Sequence, residues 1–162
     1  MVNKQSAFST KVKSSTTAND KFQKVINQYS DHALNFGECT TCNHTEEGFN
    51  PFCGDHLLLH MLLNGDHIEE VKFEGELCLI SKSSASMMSC ALKGKTICEA
   101  QKMFREFIKM MDSSSETEIN ELQNGGDLAL FSVIRNSPSR VKCALLPWKT
   151  MEKVLSKEEL VM

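Results

Sequence analysis

Residues 50–56 read Asn50-Pro51-Phe52-Cys53-Gly54-Asp55-His56, with a thiol and a carboxylate two positions apart around a glycine and behind a proline. Cys78 and Cys143 stand alone at long intervals, each where an element is expected to begin. Three thiolates and one carboxylate supply four donors, the number a tetrahedral zinc site takes. The same set suits a small iron–sulfur cluster. Widely spaced single cysteines have no ligand signature of their own, so buried thiols beside a turn aspartate remain the alternative reading. His56 is close enough to Asp55 to serve as a reserve ligand. Cys39 and Cys42 read as a pair of loop thiols rather than a second metal or redox site, and Cys90 and Cys98 as inert.

Positioning these donors falls to an α+β framework. Phe22, Val25, Ile26 and Tyr29 recur at helical spacing. Residues 57–63 (LLLHMLL) are apolar throughout, Asn64-Gly65 supplies the positive φ angles of a tight turn, and 67–73 (HIEEVKF) returns as a hairpin partner. A turn at Glu74-Gly75-Glu76 leads to a third short strand expected at Leu77–Ser81. Cys53 then lies in the loop entering the first strand and Cys78 at the start of the third. Ser84–Lys93 reads as a helix stopped by Gly94. Thr96 and Glu99 form a capping box ahead of an apolar stripe from Ile97 to Met111. A polar linker, Asp112–Gly126, precedes a short helix near Leu128–Ile134. Ser137-Pro138 opens a final helix with Cys143 in its first turns. Pro147 is expected to kink or split that helix before Met151–Leu155. The fold class is α+β, a three-stranded antiparallel sheet with helices packed on one face.

Composition bounds the rest. The chain has 162 residues, 41% of them apolar and 24% charged, which suits one globular domain over 20–162. Residues 1–19 are rich in Ser, Thr and Lys, lack acids and apolar periodicity, and read as a disordered tail. An organelle transit peptide would be rich in arginine, and this stretch has none. A net charge of −3 argues against nucleic-acid binding. No apolar run reaches the roughly 18 residues of a membrane span, and no signal-peptide core follows Met1. Seven cysteines is an odd count, better read as thiols or metal ligands in a reducing, cytoplasmic setting of bacterial type.

Three blocks, "NPFCGD", "VKFEGELCLISKSSASMM" and "RVKCALLPW", resemble the signature blocks of the U-type iron–sulfur assembly family (SufU, IscU and NifU), in the family's order and over a span from about Phe22 to the C-terminus. Lys142, where the IscU branch has histidine, and the long stretch between Cys78 and Cys143 bring the chain nearer the SufU branch. The resemblance implies a SufU/IscU-like fold and zinc held by Cys53, Asp55, Cys78 and Cys143. It further implies sulfur accepted from a SufS-like cysteine desulfurase, for a downstream scaffold or apoprotein. A transient iron–sulfur cluster on a scaffold is the alternative cofactor and function. Leu77, Lys82 and Asn35-Phe36-Gly37 depart from the family pattern and bear on the partner surface rather than the fold. Within this frame Cys53, on a glycine-hinged loop, is the nucleophile that zinc would protect, and Asp55 is the exchangeable ligand. Arg140 and Lys142 would steady an anionic persulfide.

Overall fold

The computed structural model describes residues 18–114 and 126–161. Helix α1 runs over 18–31, already helical two residues before the expected boundary at Asp20, and buries Phe22 and Ile26 four positions apart on one face. The sheet follows as β1 (His44–Asn50), β2 (Asp55–Asn64) and β3 (His67–Glu76), antiparallel in that order. Asn64-Gly65 makes the β2–β3 turn, with Gly65 at φ 61° as expected. Leu57, Leu59, Met61 and Leu63 on β2 alternate inward with no exposure above 6%. On β3 the inward residues are Ile68, Val71 and Phe73, a step of three and then two. A register shift between Leu62 and Leu63 leaves Glu69 unpaired, and this extra residue brings Ile68 back to the core face.

Helices cover that face. They are α2 (Leu79–Leu92), α3 (Ile97–Met111) and α4 (Pro138–Val161), with a 3₁₀ segment at Gly126–Ile134 before α4. The capping box on α3 forms as expected: Glu99 N–H donates to Thr96 Oγ1 at 3.1 Å and Thr96 N–H to Glu99 Oε2 at 2.8 Å. Trp148 from α4 is fully buried and stacks on Phe107 of α3 at 4.7 Å, tying the helical layer together. Among the described residues no helix is long and apolar enough to cross a membrane.

The three-stranded antiparallel class holds, but the third strand was misplaced. Leu77–Ser81 is not a strand: Cys78 caps α2, which begins at Leu79 rather than Ser84. The missing strand is β1, upstream of the hairpin. Its inward positions include Gly48 and Asn50 while Thr45, Glu47 and Phe49 face out, so hydrophobic alternation is absent and pairing with β2 alone defines it. Glu74-Gly75-Glu76 is likewise the end of β3 and not a turn. Gly75, at φ +131°, lies so close to β2 that an added Cβ would stand 2.0 Å from the His56 carbonyl oxygen.

Pro147 does not split the last helix, which is continuous through it. Its missing N–H leaves the Cys143 carbonyl without the usual partner and loosens the turn there. From a buried position on α2 the Ser84 hydroxyl donates to the neighbouring Ala144 carbonyl at 2.6 Å, which ties α2 to α4 near that turn. Cys39 and Cys42 correct another expectation. They are joined in a disulfide rather than left as loop thiols, because the turn brings their Cα atoms to 5.5 Å, within the span such a bond bridges. Cys53, Cys78, Cys90, Cys98 and Cys143 are free thiols. The expected tail and linker fall largely on 1–17 and 115–125, outside the described residues.

Candidate metal centre

Cys53 occupies the tip of the turn between β1 and β2, the ends of which are the paired residues Asn50 and Asp55. Buried Asn50 organises that turn from below. Its Oδ1 accepts from Phe52 N–H at 3.2 Å, and its Nδ2 donates to Cys143 Sγ at 3.5 Å. Gly54 follows Cys53 at φ +69°, a conformation that strains any residue with a Cβ. The chain can therefore turn sharply between the thiol and Asp55. Cys53 is left exposed and Asp55, first residue of β2, is only 1% exposed on the core side.

Asp55 and Cys78 are bound to each other. The backbone N–H of Cys78 donates to Asp55 Oδ1 at 2.7 Å, and the Cys78 thiol lies 3.6 Å from Asp55 Oδ2. Cys78 is the N-cap of α2, in the extended conformation a cap requires, and its sulfur accepts from Ser81 N–H at 3.4 Å. A thiol thus takes the place usually given to Ser or Asp, at a helix end that favours negative charge. Cys143 comes from the second turn of α4, 3% exposed, with its sulfur 2.9 Å from that of Cys53. Burial, then the hydrogen bond with Cys53 and the charge of Cys78, push the Cys143 thiol far above its ordinary range. Without a cation nearby this sulfur keeps its proton.

The four donor atoms all lie within 4.8 Å of one another. Ligand atoms around a tetrahedral zinc with bonds of about 2.3 Å stand roughly 3.8 Å apart, so the set closes on an ion with shifts of about 1 Å. Among the described residues no lysine, arginine or histidine forms an ion pair with Asp55. A buried carboxylate beside three thiols and lacking an organic cation is a donor set that suits a metal ion.

The elements differ from those expected: Cys78 reaches the group from a helix cap, not a strand. His56 does not belong to it. The alternation of β2 turns its ring to the outer sheet face, where Nε2 pairs with Glu47 Oε1 at 2.9 Å. Lys142 borders the group, its ammonium 4.0 Å from the centre of the Phe52 ring. Arg140 is exposed and lines a groove with Phe22, Gln23, Val133 and Ser137. Sequence reasoning overlooked Asn50 and Ser81. Asn50 stands inside the quoted NPFCGDH stretch, and Ser81 follows Cys78 at the three-residue spacing of a cap contact. Phe52 carried no signal, because its partner is ninety residues away.

Comparison with known proteins finds relatives in both sequence and fold. The model of the NifU-like N-terminal domain matches residues 11–144. The chain is 46% identical over 110 residues, 68% of its length and 73% of the other, to the zinc-dependent sulfurtransferase SufU of Bacillus subtilis. It is 33% identical over 136 residues, 84% of its length and 93% of the other, to the iron–sulfur cluster assembly scaffold protein IscU of Thermotoga maritima. The crystal structure of FiSufU from Fervidobacterium islandicum AW-1 superposes with a TM-score of 0.73 at 40% identity, covering 81% of this chain and 93% of that one. The NifU-like N-terminal protein of Brucella abortus gives a TM-score of 0.75 over 85% of this chain and 93% of that one; at 15% identity it supports the fold alone.

Proposed function

Because the chain belongs to the NifU-like N-terminal domain family, we propose that it serves iron–sulfur cluster assembly as a zinc-dependent sulfurtransferase, taking persulfide sulfur from a cysteine desulfurase. The observation that carries this reading is the asymmetry of the donor group: four donor atoms within 4.8 Å, of which only Cys53 belongs to an exposed residue. When bound by Cys53, Asp55, Cys78 and Cys143, zinc would hold the thiols deprotonated without redox chemistry of its own.

The chain's own residues account for the transfer. Cys53 stands on a turn between two anchors, Asn50 and Asp55, and can present its sulfur outward. The Cys53 thiolate attacks the terminal sulfur of the donor enzyme's cysteine persulfide. That S–S bond breaks, a new one forms on Cys53, and the donor cysteine leaves as a thiolate. Lys142, beside the turn, and Arg140, one helical turn before Cys143, would supply positive charge to the anionic product. Asp55 would give a bound zinc one hard oxygen donor among three sulfurs, the donor type least matched to a thiolate-rich site. Residues 20–162 would act as one domain.

The scaffold reading has its own support in the IscU relative, and three thiols with one carboxylate can also hold a small cluster. Lys142 in place of histidine favours sulfur transfer. Metal and sulfide analysis of protein purified without oxygen separates the two. One colourless zinc per chain is expected, and brown protein with iron and acid-labile sulfide would make the chain a scaffold.

A further inference from the structure

We infer that Phe52 is a positioning residue for Cys53, its ring forming with the Lys142 ammonium a latch that fastens the tip of the 51–54 turn to α4. The significance of the latch rests on the reading of Cys53 as sulfur acceptor; its geometry does not.

Phe52 is 73% exposed, so core packing does not hold it. What it touches is Lys142, with Nζ 4.0 Å from the ring centroid, inside the roughly 6 Å reach of a cation–π contact. Phe52 immediately precedes Cys53 and Lys142 immediately precedes Cys143. The cation–π pair therefore lies one residue outside the 2.9 Å pairing of the two sulfurs, and both contacts bridge the same turn and the same helix. Asn50 ties the base of the turn to Cys143, and Gly54 supplies the bend on the far side. Between those anchors, the polar contacts seen among the described residues that reach from the tip to α4 include Phe52–Lys142 and Cys53–Cys143. For Cys53 to swing outward, Phe52 must leave Lys142. The ammonium is freed in the same movement, at the place where a negatively charged sulfur would appear. Latching thus couples closure of the turn to masking of the lysine.

An exposed cation–π contact alters an opening equilibrium roughly two- to five-fold. The test is the rate at which iodoacetamide alkylates Cys53 in full-length, chelator-stripped protein, read by peptide mapping. Cys90 and Cys98, both exposed thiols, serve as controls within the same chain. Phe52→Leu should speed Cys53 alkylation about two- to five-fold and leave both controls unchanged, and Lys142→Met, which also removes a charge near the thiolate, should speed it less. The double variant should be no faster than either single one, because both remove the same contact. Lys142→Arg should keep the slow rate of the unchanged protein. Loss of the lysine charge alone would slow the reaction, since the thiolate is the nucleophile, so the sign distinguishes an electrostatic role from a latch. Unchanged or slower alkylation in Phe52→Leu, or effects that multiply in the double variant, would overturn the latch. No desulfurase or metal enters this assay. Faster alkylation together with absent sulfur acceptance would keep the latch and discard the sulfurtransferase reading.

Discussion

Raising the pH of the metal-free protein is expected to destabilise it through Cys143. In the folded chain this thiol is 3% exposed, and burial, followed by the Cys53 hydrogen bond and the Cys78 charge, raises its pKa far above the usual range. In the unfolded chain it titrates near its ordinary value of about 8.5. A group whose folded pKa is raised stabilises the fold fully below the unfolded value, and that stability drains away as the pH climbs towards the folded one. The loss approaches about 1.4 kcal/mol per pH unit. Between pH 8.5 and 10, allowing for half-ionisation of the unfolded thiol at the start, it sums to about 1.6 kcal/mol. The window closes there because Tyr29, raised by burial and by its hydrogen bond to Asp127, adds a loss of the same sign above its own ordinary value of 10.0. Urea unfolding of chelator-stripped wild type and Cys143→Ala at several pH values would read the effect. The wild type should lose about 1.6 kcal/mol more than the variant across that interval, and saturating zinc should abolish the difference by holding the sulfur as thiolate. Parallel pH profiles for the two metal-free proteins would refute the placing of a buried, protonated thiol at 143.

Replacing either helix-borne thiol, Cys78→Ser at the cap of α2 or Cys143→Ser on α4, should lower zinc content and thermal stability together, measured by metal analysis and calorimetry, because site formation and folding are linked. Cys53→Ala should leave a folded domain that accepts no sulfur from a desulfurase and cysteine; a persulfide mapped to Cys143 instead would move the nucleophile to α4. Asp55→Cys should bind zinc at least as tightly in chelator competition while slowing desulfurase turnover, since a closed four-thiolate site gives up Cys53 less readily. Gly75→Ala, which forces a Cβ to 2.0 Å from the His56 carbonyl at φ +131°, should cost more than about 3 kcal/mol and lower Tm by about 10 °C.

Features written in neighbouring residues were legible without the fold. Thr96 and Glu99 are three apart and satisfy each other's backbone groups across one helical turn, so their capping box needs nothing from elsewhere. Asn64-Gly65 between two apolar runs specifies a hairpin for the same reason. The donor set Cys53, Asp55, Cys78 and Cys143 was named from three sequence blocks, yet its elements were misassigned. Cys78 followed a β-like stretch and was read as strand, whereas its sulfur caps α2 and its N–H meets Asp55, twenty-three residues earlier. Strand β1 escaped notice because Gly48 and Asn50 hold its core-facing positions, and only the ladder with β2 makes it a strand. Pro147 carried a local penalty, yet α4 runs on through it, held by residues such as Trp148 and Met151 that are fully buried against the rest of the core. The local signals act through covalent neighbours, whose separation is set by bond geometry before folding begins. The convergence of Cys53 on Cys143, and of Phe52 on Lys142, spans ninety residues. Such contacts depend on how β1, β2 and α4 dock, and docking is decided by the shared core rather than by any one segment.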